Sequence, residues 1–232
     1  MLVTVLELAA SWGESARVLD DVEAMLAAGP ETELVLLPEA AIHGYVSPSQ
    51  DFDLTRFAEP IDGPTAQRCA AIAAAQRIHF VAPLVLREAG AIYNAMACWN
   101  PRGERAFVYR KRHPWKPETW ATPGDAPLPV VEILGRRVTI AICFDLQFIV
   151  EDSGPELQAA ELLLFPSAWV EQQDTRPERL AGIAREFGLY VANANWAPGV
   201  VRVPGQNGSC IVGPDGDVLA RASGPGRIDV RV

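Results

Sequence analysis

A carboxylate, an amine and a thiol each stand in this sequence where an apolar run gives out. Leu34-Val35-Leu36-Leu37-Pro38-Glu39 ends in an acid, Val108-Tyr109-Arg110-Lys111 in a base, and Val138-Thr139-Ile140-Ala141-Ile142-Cys143 in a sulfur followed at once by Phe144-Asp145. Short apolar runs of this kind read as buried strands, so each group is expected where the chain leaves a sheet. Together the three can do covalent chemistry: the carboxylate takes the thiol's proton, the ammonium stabilises an oxyanion and the sulfur forms a thioester. Taken singly, each has a plainer use. Cys143 after an apolar run is a small buried hydrophobe, Glu39 after Pro38 is a cap for a following turn, and Lys111 belongs to the basic cluster Arg110-Lys111-Arg112, a solvated face.

Read in order, the segments that carry these groups resemble the nitrilase superfamily of carbon-nitrogen hydrolases, whose Glu-Lys-Cys triad occurs in this chain order. The similarity runs through Leu36-Leu37-Pro38-Glu39, Tyr109 to Trp115, Thr122-Pro123-Gly124-Asp125, Ile142-Cys143-Phe144-Asp145 and Phe165-Pro166-Ser167-Ala168-Trp169. It continues through Ala184-Arg185-Glu186, Ala192-Asn193-Ala194-Asn195 and Gly208 to Val212, and so covers nearly the whole chain. The resemblance implies that Glu39 is general base and acid, that Cys143 carries the thioester, and that Lys111 and the Phe144 backbone N–H stabilise the oxyanion. An amide would lose ammonia or an amine, and water would release the acid. The resemblance further implies a four-layer α-β-β-α sandwich with the site at one edge of two sheets, one domain over 1–232, and a homodimer or higher homo-oligomer.

The segment from Lys111 to Trp120 is similar to that of aliphatic amidases, in which a Pro-Trp and a following Glu-x-Trp frame the pocket. This implies a fourth site residue, Glu118, whose alternative is a loop-surface carboxylate paired with Lys116. Trp115, Trp120 and Trp169 flank the triad in the family pattern and, with Phe144, are expected to line a narrow apolar substrate pocket. Two departures bear on the substrate. Nitrilases follow the nucleophile with Trp-Glu, whereas Phe144-Asp145 leans toward amides. Many amidase relatives continue with Arg-Phe-Pro-Glu, whereas Gln147-Phe148-Ile149-Val150 lacks that cation, so a small neutral amide is expected. Should a carboxylate-bearing substrate be preferred instead, Arg112 and Arg176 are the first partners to examine. The alternatives are nitrile hydrolysis or acyl transfer on the same triad, a Cys-His pair using His113 or His43, and a catalytically silent binding protein of the same fold.

Composition narrows the rest. With 20 basic and 29 acidic side chains among 232 residues, the formal charge of -9 argues against a nucleic-acid partner or an anionic membrane surface. Cys69, Cys98, Cys143 and Cys210 show no metal-ligand spacing and read as reduced thiols of a cytoplasmic protein. His43, His79 and His113 have no ligand spacing either, and neither a P-loop nor a dinucleotide fingerprint is present, so no metal or organic cofactor is expected. Met1 to Leu8 reads as a first strand and not as a signal peptide, and no apolar run has membrane-spanning length.

Strands are predicted over 2–8, 34–37, 79–86, 91–99, 104–110, 137–143, 161–165, 189–194, 209–213 and 216–221, the last two forming a hairpin around Pro214-Asp215-Gly216. Helices are predicted along the stripe Val18, Leu19, Val22, Met25, Leu26, from Pro64 to Arg77, and over 174–187. This alternation gives a mixed sheet core flanked by helices. The Pro- and Gly-rich stretch from Pro114 to Pro129 reads as an ordered loop beside the site, since its Trp115 and Trp120 suit no disordered linker.

Overall fold

The computed structural model describes residues 1–232. Strands β1 (Leu2–Glu7), β2 (Leu34–Leu36), β3 (His79–Glu88), β4 (Ala91–Trp99) and β5 (Arg105–Arg110) come first in the chain. Strands β6 (Val131–Ile133), β7 (Arg136–Ile140), β8 (Leu162–Pro166), β9 (Tyr190–Ala194), β10 (Cys210–Val212), β11 (Val218–Arg221) and β12 (Gly226–Arg231) follow. They form two six-stranded sheets, ordered β12-β1-β2-β3-β4-β5 and β11-β10-β9-β8-β7-β6.

Each sheet has a parallel centre, β1-β2-β3 in one and β7-β8-β9 in the other. Parallel neighbours need a crossover connection. Helices supply it: α1 (Ser15–Ala28) and α2 (Pro64–Gln76) in the first half, α3 (Ile149–Ala159) and α4 (Arg176–Phe187) in the second. Because side chains alternate along a strand, Val3, Val5, Leu34, Leu36, Val81 and Met96 turn toward the second sheet. Their neighbours Leu6, Val35, Leu37, Phe80 and Ala82 meet Val18 and Val22 of α1 and Ile72 of α2. The result is the expected four-layer α-β-β-α sandwich.

Strand direction brings distant residues to one edge. β3 to β4 and β4 to β5 are both antiparallel, so β5 runs the same way as β2 and β3. The carboxyl ends of β2 and β5 therefore share an edge, and the chain leaves them at Glu39 and Lys111. In the second sheet β7 and β8 likewise end together, ahead of Cys143 and Ala168. Loops beyond the carboxyl ends of parallel strands are where α/β sheets commonly build sites.

Three predicted boundaries need correction and three elements escaped prediction. The run 137–143 is not one strand: β7 ends at Ile140, and Cys143–Gln147 form a 3-10 turn. The helix predicted from 174 starts at Arg176, and β11 starts at Val218, since Gly216 lies in the turn with φ 85°. α3 escaped because Gly154 and Pro155 lie within it; the helix tolerates the proline by kinking at Ser153, whose φ is -142°. β6 pairs with β7 through Leu134-Gly135, both at positive φ (52° and 76°), the requirement of a type I′ turn. Leucine is not the residue that turn advertises. β12 is a half-exposed edge strand paired with β1 along its whole length, from Leu2 opposite Arg231 to Glu7 opposite Gly226.

Candidate active site

Glu39 follows β2 through Leu37 and Pro38, and the residue after it, Ala40, is held at φ 51° by a tight turn whose carbonyl accepts from His43 and Gly44. Lys111 follows β5 directly. Its N–H donates to the Asn94 carbonyl on β4, and its own carbonyl accepts from Gly124 at 2.8 Å. A Cβ at position 124 would lie 2.3 Å from the Arg110 carbonyl oxygen, so only glycine lets the loop approach this closely. Thr122 donates to the Ile92 carbonyl in the same stretch. The Pro- and Gly-rich segment is thus stitched to the edge of the first sheet.

The Lys111 ammonium is 0 % exposed and touches two carboxylates, Glu39 Oε1 at 2.6 Å and Glu118 Oε1 at 2.7 Å. Glu118 pairs with Lys111 and not with Lys116. It also accepts from the Tyr45 hydroxyl at 2.7 Å, while Asn94 Nδ2 donates to Glu39 Oε1 at 2.8 Å and to Glu118 Oε2 at 3.3 Å. Asn94 and Tyr45 escaped the sequence reading. A lone amide inside the apolar run Ile92 to Met96 is the signal that marks Asn94, because buried amides need partners.

Cys143 opens the 3-10 turn after β7 with φ 44°, a conformation that non-glycine residues rarely hold. Glu39 Oε2 accepts from the Ala168 backbone N–H at 2.9 Å, and Ala168 and Cys143 line the same cleft. Ala168 lies just past β8, so a backbone donor from the second sheet holds the base candidate. No protein acceptor takes the N–H of Phe144.

Burial raises the Cys143 thiol well above its ordinary value, and the Glu39 charge raises it further. The sulfur therefore rests as a thiol. Burial also raises Glu39, against the opposing pull of Lys111, which makes it a stronger base than an exposed glutamate. For Lys111 burial acts downward, yet the carboxylates Glu118 and Glu39 outweigh it and hold the ammonium charged.

Above the thiol lies a small cleft, ≈ 260 Å³ counting its mouth, lined by Tyr45, Trp115, Cys143, Phe144, Ala168, Trp169, Val170 and Glu171. Trp115, Trp169 and Phe144 are thus in its walls. Trp120 is not; it packs against the cluster containing Tyr45 and Trp196. The histidines are engaged elsewhere. His43 Nδ1 meets Ser15 Oγ at 2.7 Å and burial lowers its imidazole to about 4, while His113 Nε2 meets Asp152 at 2.8 Å. Arg112 sits on Asp152 and Ser153, and Arg176 is buried against Asp174 and the Asn207 carbonyl. Gln147 is exposed and lines no part of the cleft. No helix is long and apolar enough to cross a membrane.

Known proteins resemble this chain in sequence and fold. The family model described as carbon-nitrogen hydrolase matches residues 2–230. A hydrolase encoded in the pqqF 5′ region of Pseudomonas protegens is 32% identical over 196 residues, covering 83% of this chain and 68% of the relative. An (R)-stereoselective amidase of Pseudomonas sp. is 27% identical over 235 residues, with 100% of this chain and 83% of the relative covered. Among solved structures, an amidase of the nitrilase superfamily from Nesterenkonia AN1, in a mutant form, superposes with a TM-score of 0.83 at 25% identity over 100% of this chain and 91% of that one. Another structure of the Nesterenkonia amidase carries the acetamide moiety of fluoroacetamide covalently on its active-site cysteine. The chain therefore belongs to the carbon-nitrogen hydrolase family and is an amidase-type member of the nitrilase superfamily.

Proposed function

We propose that this protein hydrolyses a small, uncharged amide to a carboxylic acid and ammonia or an amine through a thioester on Cys143. The observation that carries this reading is the buried Lys111 ammonium gripped by Glu39 and Glu118, with Glu39 also held by the N–H of Ala168, which lines one cleft with Cys143. Glu39 takes the Cys143 proton as sulfur attacks the amide carbon. Lys111 and the free N–H of Phe144 bind the oxygen as it becomes negative. Glu39 then protonates the departing nitrogen, the C–N bond breaks, and the same carboxylate activates water to cleave the thioester. Glu118, held by Tyr45 and Asn94, keeps the ammonium aimed.

Intact-protein mass spectrometry after incubation with a panel of small amides tests this scheme. Glu39→Gln should accumulate an acyl adduct on Cys143 whenever acylation still occurs, because deacylation has lost its base, whereas the native chain should turn over without a lasting adduct. An adduct on any other residue in the native chain or the variant would overturn the assignment.

The cleft sets the charge preference. Its lining holds no cation, its walls are aromatic, and exposed Glu171 stands among the lining residues. A carboxylate on the acyl group would enter without a partner and against that charge. Neutral aliphatic amides are expected to exceed dicarboxylic acid monoamides and N-carbamoyl amino acids in kcat/KM. Glu171→Gln should raise the value for the anionic amides by about two- to five-fold, the scale of one screened surface charge, and leave neutral amides unchanged. Steady-state assays at low and high salt check this, since the gain should shrink as salt rises.

A further inference from the structure

Asp145 is a buried carboxylate that the scheme above does not use, and its three partners come from two segments. Its Oδ2 accepts from the Ile142 backbone N–H at 2.9 Å and from the Tyr109 hydroxyl at 2.8 Å, and its Oδ1 accepts from the His113 backbone N–H at 2.9 Å. The Asp145 N–H in turn donates to the Ile142 carbonyl at 3.0 Å. One side chain therefore fastens the residue before Cys143 and also the residues two before and two after Lys111. These segments come from different sheets, and the other charged tie between them runs through Asp152 of α3, which meets Arg112 and His113.

The geometry points to Asp145 as a positioning residue that sets the distance between the nucleophile turn and Lys111. The need for it follows from Cys143 itself. A cysteine at φ 44° stores backbone strain, of order 1–3 kcal/mol for a non-glycine residue, and keeps that conformation only where its surroundings over-determine it. Asp145 supplies that restraint by closing the turn on both sides of the sulfur. A carboxylate is required and not an amide, because three donors converge on it. Asn has only one acceptor oxygen, and its NH₂ would face an N–H or an O–H.

This role rests on the amidase reading, and the experiment separates the two. Native, Asp145→Asn and Tyr109→Phe chains are assayed for kcat and KM on a neutral amide, then treated with methyl methanethiosulfonate and weighed. Cys69, Cys98 and Cys210 are buried in the two cores, so a folded chain should take one label, on Cys143, and an unfolded one should take all of them. Asp145→Asn should lower kcat about 100-fold, the cost of a misplacement near 1 Å, with KM within about three-fold and a single label. Tyr109→Phe, which removes one of the three donors and leaves the turn closed, should lower kcat about three- to ten-fold with the same label count. A singly labelled Asp145→Asn chain with kcat within three-fold of native overturns the role, and so does activity lost only in step with full labelling. If Asp145→Asn does not fold, a Tyr109→Phe chain with unchanged kcat overturns it. A native chain inert toward every amide, though labelled on Cys143, overturns the amidase reading and this role with it.

Discussion

Cys143→Ala is expected to abolish amide hydrolysis, with kcat falling by about 10⁴-fold or more, the scale seen when a covalent nucleophile is removed. No neighbour can substitute. Cys69 and Cys98 lie within the fold, where burial raises both thiols, Cys98 to about 12, and neither lines the cleft. Cys210 belongs to β10 and its thiol is raised by burial as well. The fold should survive, because the change removes one sulfur from a residue whose turn is held by Asp145 and not by its own side chain. Thermal melting within a few degrees of native, together with loss of turnover, checks both halves. Inactivation by iodoacetamide that labels Cys69, Cys98 or Cys210 while Cys143 stays unmodified would move the nucleophile elsewhere.

Lys111→Ala is expected to damage both rate and stability, which distinguishes it from the loss of an ordinary surface cation. The rate should fall at least about 100-fold, as for removal of one oxyanion donor. The stability loss arises because Glu39 and Glu118 share this one ammonium in a site closed to water. Breaking a buried ion pair by deleting one partner costs about 3–5 kcal/mol, since the other charge stays buried. Urea unfolding reads this. It should also show a pH dependence of definite sign. Burial already holds Glu39 above its ordinary value, and the variant lacks the cation that opposes this shift. The folded variant binds the Glu39 proton more tightly than the unfolded chain does, so its stability is greatest in acid. That stability is lost as pH rises from the ordinary glutamate range through the raised folded value. A variant as stable as native at neutral pH, with turnover within a few-fold, would make Lys111 a bystander.

Asn94, Tyr45 and Asp145 show why part of the site was not legible in the chain. Each has a partner far off in sequence: Asn94 is 55 residues from Glu39, Tyr45 is 73 from Glu118, and Asp145 is 36 from Tyr109. No local pattern records such pairings. Trp120 and Trp169 make the opposite point. Both were expected in the pocket on the same ground, yet Trp169, just past β8, lines the cleft and Trp120, in the loop after Lys111, does not, because the course of two separate loops decides which indole faces the sulfur. The early end of β7 belongs here too. Ala141 to Cys143 are as apolar as the strand before them; Ala141 still donates to the Leu164 carbonyl of β8, and the turn closed by Asp145 takes Ile142 and Cys143 out of the sheet.

The sequence by itself determined the alternation of strands and helices, the buried stripe of α1, the start of α2 at Pro64, and the three chemical groups at apolar run ends. These are local matters: side-chain periodicity, proline and glycine constraints, and the polarity step where a buried strand meets solvent. Only the tertiary structure decided that those run ends meet. Parallel pairing in both sheets, and the double reversal that returns β5 to the direction of β2, carry Glu39, Lys111 and Cys143 to one edge. Burial there then did what no residue type does alone, raising the glutamate and the thiol, while the two carboxylates packed against Lys111 kept it charged in spite of burial. The electrostatics of a site depend on which charges the fold packs together away from water, and that is fixed by long-range contacts.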